Sequence, residues 1–222
     1  MQYPKIETIF NRDPITHRVY NEVRCPEFNL VREWLITEKL DGTNIRVTLN
    51  CGGTVRYDGR TDNAVLPAPL LAVLREKLPA SLVAAAFDPG TDAILFGEGI
   101  GPKIQKGSNL SPNYDFVLFD VVVFNGCRIE TNKHWWLDWA NVRDVASKLN
   151  LKTVPVLCTY SGDLKYENLA RLVNMPSCFA NQNGGNINYQ QEGVVARTFP
   201  QLFNRRGSRV MWKLKNSDFG GK

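Results

Sequence analysis

Apolar and polar residues alternate from Ile45 to Leu49 as Ile-Arg-Val-Thr-Leu, stop at Asn50-Cys51-Gly52-Gly53, and resume from Thr54 to Tyr57. A period of two on both sides of a glycine-containing turn predicts a β-hairpin with one buried face. Asp115 to Phe124 (DFVLFDVVVF) is a β-branched and aromatic run, short for a free helix, with Asn125-Gly126 behind it. That composition predicts a buried central strand followed by a tight turn. Val, Ile, Leu and Phe content between turn residues predicts further strands at Ala93 to Phe96, Thr153 to Thr159, Gly193 to Thr198 and Arg209 to Leu214. Helical spacing of apolar residues appears at Ala68 to Lys77, His134 to Leu149 and Leu164 to Asn174. Trp135, Trp136 and Trp139 fall in the second helix; their spacing is that of core packing, with stacking on nucleic acid as the alternative. Strand-like and helix-like segments intermix without repeat or linker, so the expectation is an α+β fold of mostly antiparallel sheets flanked by helices, in one domain over residues 1–222.

Composition narrows the class without naming a function. The chain is long enough to bury a core at 222 residues and 43% hydrophobic content. Lys and Arg outnumber Asp and Glu by 27 to 22, a basic excess that favours a polyanionic partner. The first ten residues mix Lys5 and Glu7 into apolar positions, and no apolar run reaches membrane-spanning length. A soluble, cytoplasmic protein with no membrane partner is expected. Five scattered cysteines (Cys25, Cys51, Cys127, Cys158, Cys178) contain no C-x-x-C pair, so reduced thiols are expected rather than a disulfide framework or zinc site. His17 and His134 are the only histidines, too few for a histidine metal centre.

Candidate chemistry concentrates in Thr37-Glu38-Lys39-Leu40-Asp41-Gly42-Thr43-Asn44, where a lysine, a carboxylate and a glycine crowd between a strand and the first hairpin. A lysine amine becomes a nucleophile when neighbouring cations or burial favour its neutral form, and Gly42 permits a tight backbone turn. Alone, K-x-D-G reads equally well as an exposed turn. Four further segments follow in order: Gly97-Glu98-Gly99, Phe119-Asp120, Gln191-Glu192-Gly193-Val194-Val195 and Trp212-Lys213-Leu214-Lys215. Each ends, occupies or opens a strand with a group that phosphate or metal chemistry uses. In an alternating strand Lys213 and Lys215 share a face, and two cations there would favour a neutral Lys39 and offset phosphate charge. Asp41, Glu98 and Glu192 supply carboxylates suited to Mg²⁺ held largely through water. The glycine-rich stretch from Gly97 to Lys103 fits neither phosphate-loop spacing; with Lys106 it reads as a mobile basic loop that touches RNA or pyrophosphate, or is simply solvated.

These ordered segments resemble the motifs of the covalent nucleotidyltransferase superfamily of polynucleotide ligases and messenger-RNA capping enzymes. Asn44 after the K-x-D-G core is similar to the RNA ligases, in particular the phage RNA ligase 2-like branch and the RNA-editing ligases. The resemblance spans Thr37 to Lys215 and implies an ATP-grasp-like ligase adenylation fold. It implies an ATP-dependent RNA ligase in which Lys39 takes AMP from ATP with Mg²⁺ (or Mn²⁺), then passes it to an RNA 5′-phosphate before a 3′-hydroxyl joins. It implies that Glu192, Lys213 and Lys215 act with Lys39, and that Glu38, Asn44 and Glu98 meet the nucleotide, Glu98 at the ribose. Adenine would stack on Phe119 and an aliphatic side chain such as Val195. Arg46 and Arg60, the latter within Asp58-Gly59-Arg60-Thr61, would meet ribose or phosphate, with ordinary surface pairing to Asp58 and Asp62 as the alternative. Only residues 216–222 follow Lys215, so neither an OB domain nor a helical C-terminal domain is expected, and a separate protein partner for gripping RNA is one expectation. The other functional readings are a minimal DNA ligase or GTP-using capping enzyme, and a non-catalytic nucleic-acid-binding module.

Overall fold

The structure, a computed structural model, describes residues 1–16, 18–124 and 134–219. The Asn125-Gly126 turn, His17 and Cys127 lie outside the described residues. In chain order the strands are β1 (Phe10–Arg12), β2 (Val19–Val23), β3 (Trp34–Lys39), β4 (Thr43–Leu49), β5 (Val55–Asp58), β6 (Asp92–Ile100), β7 (Asp115–Phe124), β8 (His134–Trp136), β9 (Lys152–Thr153), β10 (Val156–Tyr160), β11 (Gly193–Thr198) and β12 (Met211–Lys215). The α-helices are α1 (Ala68–Lys77), α2 (Ala80–Ala85), α3 (Trp139–Lys148), α4 (Tyr166–Val173) and α5 (Cys178–Gln182). The chain forms two compact units: Met1–Pro4 with Asp41–Val154, and Lys5–Leu40 with Pro155–Lys222.

The first unit is built on a sheet of order β5-β4-β6-β7-β8, antiparallel throughout, with β9 added parallel to β7. Alternation in β4 buries Ile45, Val47 and Leu49, as the sequence pattern requires. β6 and β7 are apolar on both faces and therefore occupy the middle. Helices α1 and α3 pack on β7, and α2 on β4. Opposite Phe96 and Gly97 the register slips: Phe96 faces Asp120, Gly97 faces Leu118, and Phe119 is the extra residue of a bulge.

The second unit carries an antiparallel sheet of order β10-β3-β11-β12, and β1 pairs with β2. One face of this sheet contributes Trp34, Ile36, Val194, Ala196, Trp212 and Leu214 to a core shared with Ile9, Phe10, Leu169 and Val173. The polar opposite face is where Lys39 emerges.

Three expectations are corrected. His134 to Leu149 is not one helix: His134–Trp136 pairs with the end of β7 as β8, and α3 begins only at Trp139, where the Asp138 carboxylate caps it by accepting from Asn141 N–H at 2.9 Å. Trp139 accordingly enters the core while Trp135 is 74% exposed. Thr153 to Thr159 is not one strand, because Val154-Pro155 separates β9 from β10 and the two belong to different sheets and different units; Pro155 has no N–H with which to continue a ladder. Cys51 is disulfide-bonded rather than reduced, since distance along the sequence says nothing about separation in space; Cys25, Cys158 and Cys178 are free.

Candidate active site

The register of β3, β11 and β12 gathers the basic residues of the second unit. Gly193 lies opposite Lys39 on one side and Lys215 on the other, while Val195 lies opposite Thr37 and Lys213. Alternation then sets Thr37, Lys39, Val195, Lys213 and Lys215 on one face. Gly193 is required by crowding, because a Cβ there would stand 2.1 Å from the Leu214 carbonyl oxygen and 2.7 Å from Lys215 Cα. Glu192, one residue before β11, reaches both neighbouring strands: its Oε2 accepts from Lys39 Nζ and its Oε1 from Lys215 Nζ at 2.6 Å. The backbone fixes this bridge, with Asn216 N–H donating to the Glu192 carbonyl at 2.8 Å.

Lys213 completes the array. Burial lowers its pKa below the ordinary lysine value, and the positive charges of Lys39 and Lys215 lower it further, against the opposing charge of Glu7. Glu192 thus bridges two of the three lysines on this face, an arrangement that attracts a polyanion and leaves Glu192 in hydrogen-bond contact with the amine of Lys39.

Sequence reasoning overlooked the supports of this array. Asp218 accepts from Lys215 N–H at 2.9 Å and from Arg12 Nη2 at 2.6 Å, which anchors the end of β12. Glu38 is placed away from Lys39, on the opposite face of β3, where it accepts from Ser177 Oγ at 2.5 Å and from Phe179 N–H at 2.8 Å. Ser177 in turn caps α5 by accepting from Ala180 N–H at 3.0 Å. Burial pushes the Glu38 carboxyl above its ordinary pKa, and these hydrogen bonds oppose the shift. The one-residue offset from Lys39 was the available signal, since adjacent strand residues point to opposite faces.

In the first unit, Asn44 of β4 lies directly opposite Glu98 of β6, and Arg46 lies opposite Phe96. Gly42 is needed for close approach rather than for a tight turn: a Cβ would stand 2.4 Å from the Gly99 carbonyl oxygen and 2.9 Å from the Glu98 side chain. Phe119, half-buried at the bulge, meets the Tyr3 ring edge-on with centroids 5.1 Å apart, and Tyr3 OH donates to Asp120 Oδ2 at 2.8 Å. Tyr3 was missed because an aromatic three residues from the N-terminus carries no periodic signal.

The two arginines differ in kind. Arg46 is 1% exposed and donates to Gly59 O at 2.8 Å, Met1 O at 3.0 Å and Asp62 Oδ1 at 2.7 Å, so its guanidinium organises the turn after β5. Arg60 is exposed. Asp41 lies in the turn between β3 and β4. The basic loop after β6 is pinned by buried Ile104 and Gly107, with Lys103, Gln105 and Lys106 exposed and Lys103 and Gln105 at positive φ (66° and 47°). Among the described residues no three His, Cys, Asp or Glu side chains gather as a metal cage, and no helix is long and apolar enough to cross a membrane.

The second unit thus places a lysine–carboxylate–lysine array on one face of its sheet, and comparison with known proteins identifies the family. The sequence profile of the RNA ligase family matches residues 32–215, and the chain belongs to that family. A search of curated proteins finds no match. Among solved structures, a Naegleria gruberi RNA ligase mutant with AMP and Mn aligns over 97% of this chain and 60% of its own, at 18% identity and a TM-score of 0.65. Another mutant of that ligase, with ATP and Mn, aligns over 97% and 59% at 19% identity and a TM-score of 0.66. An apo mutant aligns over 98% and 62% at 19% identity and a TM-score of 0.66. The fold is therefore that of an RNA ligase nucleotidyltransferase, and the chain spans about six tenths of the length of these structures.

Proposed function

We propose that this protein is an ATP-dependent RNA ligase that joins an RNA 5′-phosphate to a 3′-hydroxyl through AMP carried on Lys39, acting in the cytoplasm. The observation that carries the reading is the bridge from Lys39 through Glu192 to Lys215, with Lys213 alongside. Lys39 must shed a proton before its amine attacks the α-phosphorus of ATP, and Glu192 is the carboxylate hydrogen-bonded to it. The N–P bond forms as the bond from that phosphorus to pyrophosphate breaks. Lys213 and Lys215 place positive charge where the phosphates gain negative charge. An oxygen of the RNA 5′-phosphate then attacks the same phosphorus and Lys39 departs, regaining a proton. Finally the 3′-hydroxyl attacks the RNA 5′-phosphorus, loses its proton, expels AMP and forms the phosphodiester.

Val195, on the lysine face, is assigned to the adenine. In the other unit, Phe119 is assigned to the base, Glu98 and Asn44 to the ribose, and Arg60 to a phosphate. Glu38 and Arg46, both held by protein partners, act by fixing β3 and the turn after β5. The donor set fits a hydrated Mg²⁺ or Mn²⁺ that arrives on nucleotide phosphates: both Glu192 oxygens are taken by lysines, and no protein cage is built among the described residues. Asp41, Glu98 and Glu192 would reach its water shell. The ion would supply charge neutralisation on the phosphates.

The test is end joining of a 5′-phosphorylated RNA with Mg²⁺, using ATP or GTP and, in parallel, a DNA substrate of the same sequence. ATP-dependent joining of RNA is expected. Covalent labelling of the protein by GTP and not by ATP, with no joining, assigns the chain to capping-type chemistry, and sealing of DNA alone assigns it to DNA ligases; either result overturns the proposal.

A further inference from the structure

The connection from β11 to β12 carries a surface that the chemistry of Lys39 does not use. After Thr198 the chain runs Phe199-Pro200-Gln201-Leu202-Phe203-Asn204-Arg205-Arg206-Gly207-Ser208-Arg209-Val210. Its tip is a built turn. Asn204 N–H donates to Ser208 O at 2.8 Å and Gly207 N–H to Asn204 O at 2.9 Å, while Asn204 Oδ1 accepts from the N–H groups of Arg206 and Ser208 at 2.9 and 3.0 Å. Gly207 supplies the left-handed φ of 75° that closes it. Below the tip, Phe203 pairs with Arg209 and Val210 N–H donates to Leu202 O at 2.9 Å. With its tip closed by its own hydrogen bonds, the hairpin leaves Leu202, Phe203, Arg205 and Arg206 exposed.

Those side chains are aromatic along the first arm and cationic at the tip. Phe199 is 59% exposed and Phe203 51%, and Arg205 and Arg206 are exposed. At the hairpin's base an open groove of about 350 Å³ is lined by Leu30, Val31, Phe199 and Leu202, with Arg32 and Glu33 also on its wall. A protein-binding surface concentrates apolar residues at its centre and depletes charge there. Exposed aromatic faces beside a pair of exposed arginines instead suit a strand of unstacked bases on a phosphate backbone.

We propose that the β11–β12 hairpin and the groove at its base form an exosite for single-stranded RNA, stacking bases on Phe199 and Phe203 and holding phosphates with Arg205 and Arg206. The proposal rests on the reading of this chain as an RNA-joining enzyme and names where that enzyme grips its substrate. Gly193 faces Lys39, and Thr198 at the other end of β11 faces Trp34. The six residues of β11 span roughly 17 Å, a length of several nucleotides rather than of one. The exosite therefore holds the body of the RNA rather than its reacting end, and AMP loading does not depend on it.

The experiment is fluorescence anisotropy of the full chain with an unstructured, 5′-labelled RNA 20-mer across a potassium chloride series. The variants are Arg205→Ala/Arg206→Ala, Arg205→Lys/Arg206→Lys and Phe203→Ala, all at exposed positions, with melting temperature and AMP loading measured in parallel. Loss of two phosphate contacts makes the slope of log affinity against log salt shallower by about 1.4, whereas the lysine pair keeps the parental slope. Phe203→Ala weakens binding on the order of five- to a hundredfold with the slope unchanged. AMP loading and melting temperature stay parental in every variant. An unchanged slope in the double alanine variant, or unchanged affinity in Phe203→Ala, overturns the exosite. Displacement of the RNA by polyglutamate as readily as by polyuridine also overturns it, by assigning the surface to acidic proteins. A chain that binds RNA through this hairpin but never loads AMP overturns the ligase reading and leaves the exosite standing.

Discussion

Glu192→Gln separates the charge of the bridging carboxylate from its shape. In the fold Glu192 accepts from Lys39 and from Lys215, and Lys213 lies close enough to both lysines for their charges to lower its pKa. Glutamine keeps one carbonyl acceptor but turns an NH₂ toward the other ammonium, so one charge-assisted hydrogen bond is lost and Lys39 and Lys215 lose the anion that bridges them. A hydrogen bond to a charged group contributes about 1.5–3 kcal/mol, and partial exposure of these side chains places the loss near the low end, ~1–2 kcal/mol. For a chain of this size that is a fall in melting temperature of about 2–8 °C. The chemical consequence is larger, because loss of a positioned proton acceptor slows a step by roughly 10²–10⁴-fold. Single-turnover formation of the Lys39 adduct, followed by intact mass in a quenched-flow series, reads that rate independently of stability. The variant is expected to fold, to load AMP at least a hundredfold more slowly, and to recover part of the rate as pH rises and solvent removes the proton instead. Loading at the parental rate by a folded variant would refute Glu192 as the proton acceptor.

Three further predictions test the supports of the site. Gly193→Ala forces a Cβ to within 2.1 Å of the Leu214 carbonyl oxygen; overpacking against backbone is expected to destabilise by about 1–3 kcal/mol, and an unchanged denaturation midpoint contradicts the crowding argument. Arg46→Lys replaces a fork with three acceptors by a single ammonium. A loss of roughly 2 kcal/mol is expected by urea denaturation, with AMP affinity in the folded protein unchanged; weakened AMP affinity at parental stability contradicts the structural role. The raised pKa of Glu38 means that the fold favours its protonated form, so its contribution is fully present below the ordinary value of 4.5 and is lost as pH rises through the folded value. Glu38→Gln keeps an acceptor for Phe179 N–H without the titration. The stability of the parent relative to this variant should therefore fall as pH rises from below 4.5, and parallel pH profiles contradict it.

The elements that the sequence revealed were those with an unbroken local pattern. The alternation from Ile45 to Leu49, the run DFVLFDVVVF and the apolar spacing of Ala68–Lys77 each became the element they announced. His134 to Leu149 misled because three aromatics placed together mimic a helical face, although Asp138 was a legible cap signal at the true helix start. β1 and β2 are short strands that pair with each other, and α5 is held by Glu38 from far away in the sequence, so none of the three carries a periodic local signal. Candidate chemistry was legible in the second unit because strand alternation places Lys213 and Lys215 together from sequence alone. That Glu192 would bridge Lys39 and Lys215 depends on the register of three strands, which no single segment encodes. The disulfide at Cys51 and the three acceptors of Arg46 were hidden for the same reason.

The central claim is that Lys39 carries AMP, and the most direct test is intact mass of the purified protein after incubation with ATP and Mg²⁺, beside Lys39→Ala and a GTP control. The account predicts a single adenylyl adduct with ATP, discharged by pyrophosphate, and none with Lys39→Ala or with GTP. A folded parent protein that gains no adduct across pH and divalent metal, or an adduct that persists in Lys39→Ala, contradicts it.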